Sequence, residues 1–259
     1  MGTVSKALSL LSNFNQSRTE IGLSEMARLA GINKATAYRL LSELQESGFI
    51  EQAGTDRSYR LGAEVLRLAR LREAAVPLTT ASRGILERLA GETHETAHVS
   101  IVRGMQLNAL AHVYSPKHAT RVMMEDAETL SLHATGSGLA VLAFSPDDFI
   151  DAVLARPLTR HTPDTVTDPD AIRALLAPIR EAGIAESVGG FEAEVHSHAA
   201  PVFNSDGAPI GAIAVAAPVS RVTPDRIEII RRAVLSGAIE LTRAIGGFVP
   251  ECFPQAAAA

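Results

Sequence analysis

The sequence predicts two domains joined by a helix: a small, mainly helical one closed by a β-hairpin, and a larger α+β one built on an antiparallel sheet. Three observations predict it. Two short helix-forming runs flank Gly31 and are followed by a pair of alternating segments between Gly48 and Leu61. A helix-forming stretch from Ala63 to Ala75 then stops before Pro77. Beyond it, strand-like runs come in pairs, separated by helical segments that open on proline. A chain of 259 residues with 46% apolar residues is long and apolar enough for two cores.

In the first domain, Ser24 and Asn33 are residue types whose side chains accept hydrogen bonds from the free amides of a first helical turn, so each is read as a helix start. Gly31 supplies the turn between the two helices. In the second, Leu40, Leu41 and Leu44 recur on one face, which leaves Lys34, Ala35, Thr36, Tyr38 and Arg39 near the outward N-terminal end, and these five with Ser24 and Asn33 are the DNA-contacting residues expected of the helix pair. That is a helix-turn-helix, and the N-terminal end of its second helix is the part that meets base edges in duplex DNA. Segments 48–52 and 58–61 flank hairpin-turn residues, Ala53 to Arg57, and form a wing on which Arg57 and Arg60 are placed to meet phosphates. The plainer alternative is that the hairpin only closes the small core. The stretch 63–75 reads as a linker helix, with more apolar residues than one small domain covers, which points to pairing with a second copy.

Charge supports the division. The whole chain carries −5, yet residues 1–75 carry +2 and the remainder −7, so DNA is expected to meet only the first third. The single cysteine, Cys252, excludes an internal disulfide and a cysteine-based zinc finger. No signal-like segment opens the sequence and no apolar run reaches membrane length, which predicts a cytoplasmic protein without a membrane partner.

In the second domain a helix is expected from Leu78 to about Ala90, then a hairpin of Thr96–Arg103 and Gln106–Tyr114 around Gly104. A second strand pair, His196–Asn204 and Pro209–Ala216, turns at Ser205-Asp206-Gly207. Ser145-Pro146, Asp168-Pro169 and Thr223-Pro224 each combine a capping residue with a proline and announce helices, the last running to Gly246-Gly247. Helices against an antiparallel sheet make this an α+β, sensor-like domain.

The order of Val4–Leu11, the helix-turn-helix, Tyr59-Arg60-Leu61-Gly62, Leu132–Gly136, Thr165–Asp168, Ile179–Gly183 and Ala199–Phe203 resembles the IclR family of bacterial transcription regulators over nearly the whole chain. The resemblance implies a winged helix-turn-helix, residues 1–62, a linker helix, 63–76, and an effector-binding and oligomerisation domain of GAF-like fold, 77–249, before a C-terminal tail, 250–259. It also implies operator DNA and a small organic acid or similar metabolite as partners, and homodimers that pair into tetramers.

Thr135-Gly136-Ser137-Gly138 opens the apolar run Leu139–Phe144, so the amides and positive end of that helix make a carboxylate the natural guest. Small residues that merely permit close packing are the bland reading of the same loop. Val195 and Ser197 share one strand face by period two, and the resemblance makes them pocket positions. It places Ser197 where a cysteine is frequent, Ser187 where sensors of very small oxoacids carry an acidic residue, and Ala214 and Ala216 where such regulators have serines. The expected effector is therefore polar-headed with a larger or more apolar body than a two-carbon acid.

Eight histidines all lie between His94 and His198. His98 and His133 are placed to touch a ligand, whereas His196 and His198 share the strand face opposite to Val195 and Ser197 and point away from it. Their spacing does not make a persuasive zinc site, and neither a metal nor a cofactor is expected. An enzyme is also not expected, because neither Ser137 nor Ser197 sits in a nucleophile elbow and no third orienting group accompanies them. The competing reading is a DNA-binding protein whose second domain only oligomerises or senses a metal.

Overall fold

The computed structural model describes residues 2–15, 18–54, 57–75, 77–124 and 129–254, with nothing described for the side chains of residues 73–75. The chain divides into two compact units, Met1–Ala75 and Val76–Ala259.

The first unit contains α1 (Thr3–Leu11), α2 (Leu23–Leu29), α3 (Lys34–Glu46), the strands β1 (Ile50–Ala53) and β2 (Ser58–Leu61), and α4 (Ala63–Ala75). Its core is Leu10, Ile21, Met26, Leu40, Leu41, Ile50 and Tyr59, drawn from every element but α4. Ile21 exchanges two backbone hydrogen bonds of 2.9 Å with Tyr59, which ties the segment ahead of α2 to the wing. Gly31 has φ +64, a left-handed conformation that glycine adopts without the penalty of a Cβ. Asn33 caps α3 as read from sequence, its side chain accepting from the Thr36 amide at 2.8 Å. Ser24 does not cap α2: Gly22 occupies the cap position without a side-chain bond, and Ser24 lies exposed in the first turn. The wing hairpin is antiparallel with Glu51 opposite Arg60, and Thr55 and Asp56 of its expected turn lie outside the described residues. Along α4, Leu66, Leu68 and Leu71 are exposed.

The second unit is a six-stranded antiparallel sheet in the order β5-β4-β3-β8-β7-β6. Its strands are β3 (Thr96–Arg103), β4 (Gln106–Val113), β5 (Thr129–Leu130), β6 (Ala185–Val188), β7 (Val195–Phe203) and β8 (Pro209–Pro218). The expected hairpins pair as β3 with β4 and β7 with β8, and a central pairing of β3 with β8 joins them. Alternation along the strands gives two apolar faces. On one, Ala97, Val99, Ala200, Val202, Ile213 and Val215 pack against α5 (Leu78–Thr93) and α9 (Pro224–Ala244). On the other, Ala199, Ala212 and Ala214 pack beneath α6 (Gly136–Phe144), with α7 (Asp147–Leu154) and α8 (Pro169–Ala182) beyond.

Three local details depart from the sequence reading. Ser145 ends α6, its hydroxyl donating to the Val141 carbonyl, so Pro146 takes the cap position of α7 instead of its first turn. The two short edge strands β5 and β6 had no strand signal. Residues from 250 on read as a tail, but Phe253 is buried in the core, with its ring 5.5 Å from that of Phe203; residues 255–259 lie outside the described ones.

Candidate functional site

On the first unit, the helix-turn-helix presents Lys34, Ala35, Tyr38 and Arg39 as exposed side chains on the first two turns of α3, with Thr36 half-buried and its amide engaged by the Asn33 cap. Ala37, Leu40 and Leu41 face the core and fix the helix's rotation. The wing's Arg57 is exposed in a left-handed conformation, φ +57. Arg60 is exposed as well, but its Nε donates to a Glu51 carboxylate oxygen at 2.7 Å and a terminal nitrogen lies 2.6 Å from the same oxygen. A phosphate must therefore compete with Glu51 for Arg60, a partner the sequence reading did not include.

On the second unit, a recess of about 460 Å³, counting its open mouth, lies on the α6 face of the sheet. Six polar residues line it: His98, Thr135, Ser137, Ser187, Glu192 and Ser197. Val122, Met124, Leu130, Phe191, Val195 and Ala216 form its apolar part.

The glycine loop is built into the sheet. Thr135 caps α6, its hydroxyl oxygen accepting from the Gly138 amide at 3.0 Å while donating to the Ser131 carbonyl at 2.9 Å. The Gly136 amide donates to Ser197 Oγ at 3.3 Å. A Cβ at Gly136 would stand 2.8 Å from Ser197 Oγ, and one at Gly138 2.3 Å from the Leu132 carbonyl oxygen, so the small residues permit close approach as well as forming the pocket wall. Two of the loop's first amides are thus taken, and the Ser137 amide has no protein partner among the described residues. Ser187 is committed too, donating to the Ala134 carbonyl at 2.8 Å.

His98 lines the recess with Nε2 3.4 Å from Ser137 Oγ, while its buried Nδ1 has no hydrogen-bond partner among the described residues. Burial, with a smaller contribution from His112, pushes its imidazole down to about 4, so the ring is neutral at physiological pH and offers a hydrogen bond instead of a charge. Among the described residues, no lysine or arginine lines the recess, and Glu192 contributes the one formal charge, a negative one. A ligand's head group is consequently met by neutral donors.

Of the ten effector positions expected from sequence, His98, Thr135, Ser137, Ser187, Val195, Ser197 and Ala216 converge on this recess, with Gly136 bonded to it through Ser197. His133 and Ala214 do not. His133 sits beside the loop but turns to the Thr159 carbonyl at 3.0 Å, and Ala214 is fully buried in the core beneath α6. Val122, Met124, Leu130, Phe191 and Glu192 were not anticipated; they come from irregular segments and a two-residue strand, where no periodicity marks an inward face.

The opposite faces of β6 and β7 carry a second group of ionisable side chains. Glu186, His196 and His198 each offer a ligand atom within 4.8 Å of the others. Arg231 on α9 contacts the Glu186 carboxylate at 2.6 Å. Burial opposes ionisation of Glu186, but the neighbouring His198 and the Arg231 hydrogen bond and charge hold its carboxyl below the usual range. Burial pushes the His198 imidazole down to about 4 and lowers that of His196.

Residues 3–54 match the IclR helix-turn-helix domain, and residues 74–243 match the C-terminal domain of bacterial IclR transcriptional regulators. The chain is 28% identical to the HTH-type transcriptional regulator XynR of Escherichia coli K12 over 94% of its own length and 97% of that protein's. It is 30% identical to a glycerol operon regulatory protein of Streptomyces griseus, covering 86% of this chain and 87% of that one. Among solved structures, one of an IclR-type regulator from Silicibacter sp. TM1040 is 60% identical with a TM-score of 0.93, covering 98% of this chain and all of the other. An IclR homologue from Microbacterium hydrocarbonoxydans, solved in complex with 4-hydroxybenzoate, is 28% identical with a TM-score of 0.58, covering 93% of this chain and all of the other.

Proposed function

The chain belongs to the IclR family, DNA-binding transcription regulators and not enzymes, and from that premise we propose that it controls catabolic genes in response to a small polar-headed organic ligand. The observation that carries the ligand reading is the recess at α6. The recess is lined by His98, whose Nε2 faces the Ser137 hydroxyl, by Ser137, whose amide has no partner among the described residues, and by Ser197, together with Phe191, Met124, Leu130 and Val195. Unpaired buried donors and acceptors are costly in the empty protein, so a guest that satisfies them is favoured. The absence of a lining cation among the described residues and the presence of Glu192 disfavour a small, highly charged acid and favour one neutral or singly charged head on an apolar body, such as an aromatic acid. The 4-hydroxybenzoate complex of the Microbacterium relative is consistent with that chemistry.

DNA is met by residues 1–62, with Lys34, Ala35, Thr36, Tyr38 and Arg39 at the major groove and Arg57 and Arg60 on flanking phosphates. Residues 63–76 connect them to the ligand-binding unit, 77–249. The exposed Leu66, Leu68 and Leu71 of α4 support a homodimer, which suits a palindromic operator, and pairs of dimers form on longer sites. The regulator works in the cytoplasm, where operator DNA is. Ligand and DNA are coupled only to the extent that the ligand binds one arrangement of the dimer better than the other; the expected scale is about 5- to 150-fold in DNA affinity.

A thermal-shift screen of the purified protein against aromatic and aliphatic acids tests this, because a ligand of the folded state raises its melting temperature. A stabilising aromatic acid whose effect is lost in Ser197→Ala, and which alters binding to DNA from the region upstream of its own gene, is expected. Preferential stabilisation by two-carbon acids would overturn the ligand class, and silence across the panel would favour a second unit that only oligomerises.

A further inference from the structure

The face of β6 and β7 turned away from the recess carries a group that the DNA and ligand readings leave unused. His196 and His198 are two residues apart on β7 and so project to the same side. The register of the sheet sets Glu186 on β6 directly opposite His198. The two imidazole rings stack with centroids 4.3 Å apart, and the Glu186 carboxylate lies across them, Oε2 at 3.6 Å from His196 Nε2 and Oε1 at 3.7 Å from His198 Nε2. Those separations are too long for hydrogen bonds. Hence both ring nitrogens of the fully buried His198, and Nε2 of the nearly buried His196, have no hydrogen-bond partner among the described residues.

A buried imidazole with both nitrogens unmatched is a costly arrangement for an apolar interface to retain without a use. We propose that Glu186, His196 and His198 form a binding site for a divalent transition-metal ion of the zinc type. Two imidazoles and a carboxylate are the donor set such ions take when one or two positions stay open to water. Bonds of about 2.0 to 2.1 Å at tetrahedral angles place ligand atoms about 3.4 Å apart, so an ion closes the site by drawing in atoms that lie within 4.8 Å of one another and tilting the stacked rings toward a common point. Glu186 is about a third exposed, which gives the ion a route in from solvent. Arg231 holds Oε1 of Glu186, leaving Oε2 for the metal, and its positive charge makes the site weaker than a closed four-ligand one.

The site has a position that gives it a consequence. Glu186 precedes Ser187, and His196 and His198 flank Ser197, so the two strands that line the ligand recess on one face carry the metal ligands on the other. An ion that draws β6 and β7 together would shift the Ser187 and Ser197 hydroxyls. This coupling rests on the ligand reading of the recess; the metal site itself does not.

The test is calorimetric titration of the full-length, chelator-stripped protein with Zn²⁺ alone, in a Cys252→Ser background so that the exposed thiol cannot contribute. Saturable binding of one ion per chain is expected, weakened at least tenfold by Glu186→Gln and by His196→Gln. These two positions are chosen over His198 because they perturb the core less, and an unchanged melting profile in metal-free buffer confirms that each variant is folded. A visible ligand-field spectrum of low-coordinate Co²⁺, lost in both variants, is the second readout. Absence of saturable binding, or binding that survives both substitutions, overturns the site. Zinc binding with no effect of an acid leaves the site standing and removes only the coupling; acid binding without zinc binding removes the site.

Discussion

Arg60 is one of the two wing residues proposed to meet phosphates, and it already has a partner. Glu51 stands opposite it in the hairpin and both side chains are exposed, with guanidinium-to-carboxylate distances of 2.6 and 2.7 Å. An exposed pair of this kind is worth about 0.2 to 1 kcal/mol, so a phosphate that captures Arg60 forgoes roughly 1.4- to 5-fold in affinity. Glu51→Gln removes the competitor and a repelling charge together; it should tighten binding to a random-sequence duplex by roughly 2- to 5-fold at low salt and leave the fold unchanged. Arg60→Ala should weaken the same duplex. It should also flatten the dependence of affinity on salt by about 0.9 logarithmic units per chain, the contribution of one neutralised phosphate. Over a rise from about 50 to about 200 mM salt, that makes the variant's loss of affinity about 3.5-fold smaller than the wild type's. Fluorescence anisotropy with a labelled duplex across that salt range measures both quantities without knowledge of the operator. In the double variant the gain from Glu51→Gln should shrink, because part of it acts through Arg60. A salt slope identical in wild type and Arg60→Ala would refute the phosphate contact and return the wing to a role in closing the small core.

Asn33→Ala removes the bond to the Thr36 amide and should cost about 1 kcal/mol, seen as a fall of about 4 to 8 °C in the melting of the first unit. Asn33→Asp keeps the cap but turns a negative charge toward DNA; equal DNA affinity in Asn33→Asp and wild type would show that the first turn of α3 does not meet the duplex. His98 titrates near 4 when folded against about 6.5 when unfolded, so between those values only the unfolded chain takes up the proton. Its contribution is complete above about 6.5 and is lost as pH falls toward 4, amounting to about 2 kcal/mol at pH of about 5. Urea unfolding of the second unit at neutral and acid pH should show that loss shrinking in His98→Gln, and an unchanged pH dependence would refute it. Arg221 makes a two-point contact with the buried Glu95 at 2.6 and 2.7 Å, so Arg221→Ala should destabilise the second unit by about 3 kcal/mol in denaturant unfolding; a change below about 1 kcal/mol would mean that water replaces the pair.

What could be read from the sequence was decided by how local its cause is. The α3 cap is local: Asn33 needs only its own side chain and an amide three residues on. The start of α2 is not, because Ile21 is held by backbone bonds to Tyr59 on the wing, which fixes where the chain can turn helical and moves the cap to Gly22. Ser145 and Pro146 show the same limit. Both are plausible opening residues, but the Ser145 hydroxyl serves the end of the preceding helix, and only the close succession of α6 and α7 reveals that. In the recess, strand parity put Val195 and Ser197 on one face and the family resemblance made it the pocket face, while Thr135 to Ser137 followed from helix-start chemistry. The apolar wall did not, since Val122 and Phe191 belong to irregular segments whose facing is set by tertiary contacts. His133 failed for a related reason: proximity in sequence to the glycine loop does not determine which carbonyl its ring finds, and Thr159 is 26 residues away.

The histidines of β7 show most plainly what one strand's pattern contains and what it omits. Period two places His196 and His198 opposite to Val195 and Ser197, and the structure agrees: the serine face meets the recess while the histidine face meets α9. From the spacing of histidines alone, that orientation looks like a reason to dismiss them. The missing ligand is Glu186, ten residues upstream of His196 on an edge strand of four residues, and only the antiparallel register brings it opposite His198. A single-strand reading therefore returns two histidines pointing into an apolar layer; the sheet returns three neighbouring donor side chains, with three ring nitrogens that have no partner among the described residues. The same register also sets Ser187 opposite Ser197, so a displacement of either strand that alters one face alters the other. If a ligand in the recess moves β6 relative to β7, the ligand and the ion must affect each other's affinity by the same factor, and measuring either titration in the presence of the other partner gives that factor directly.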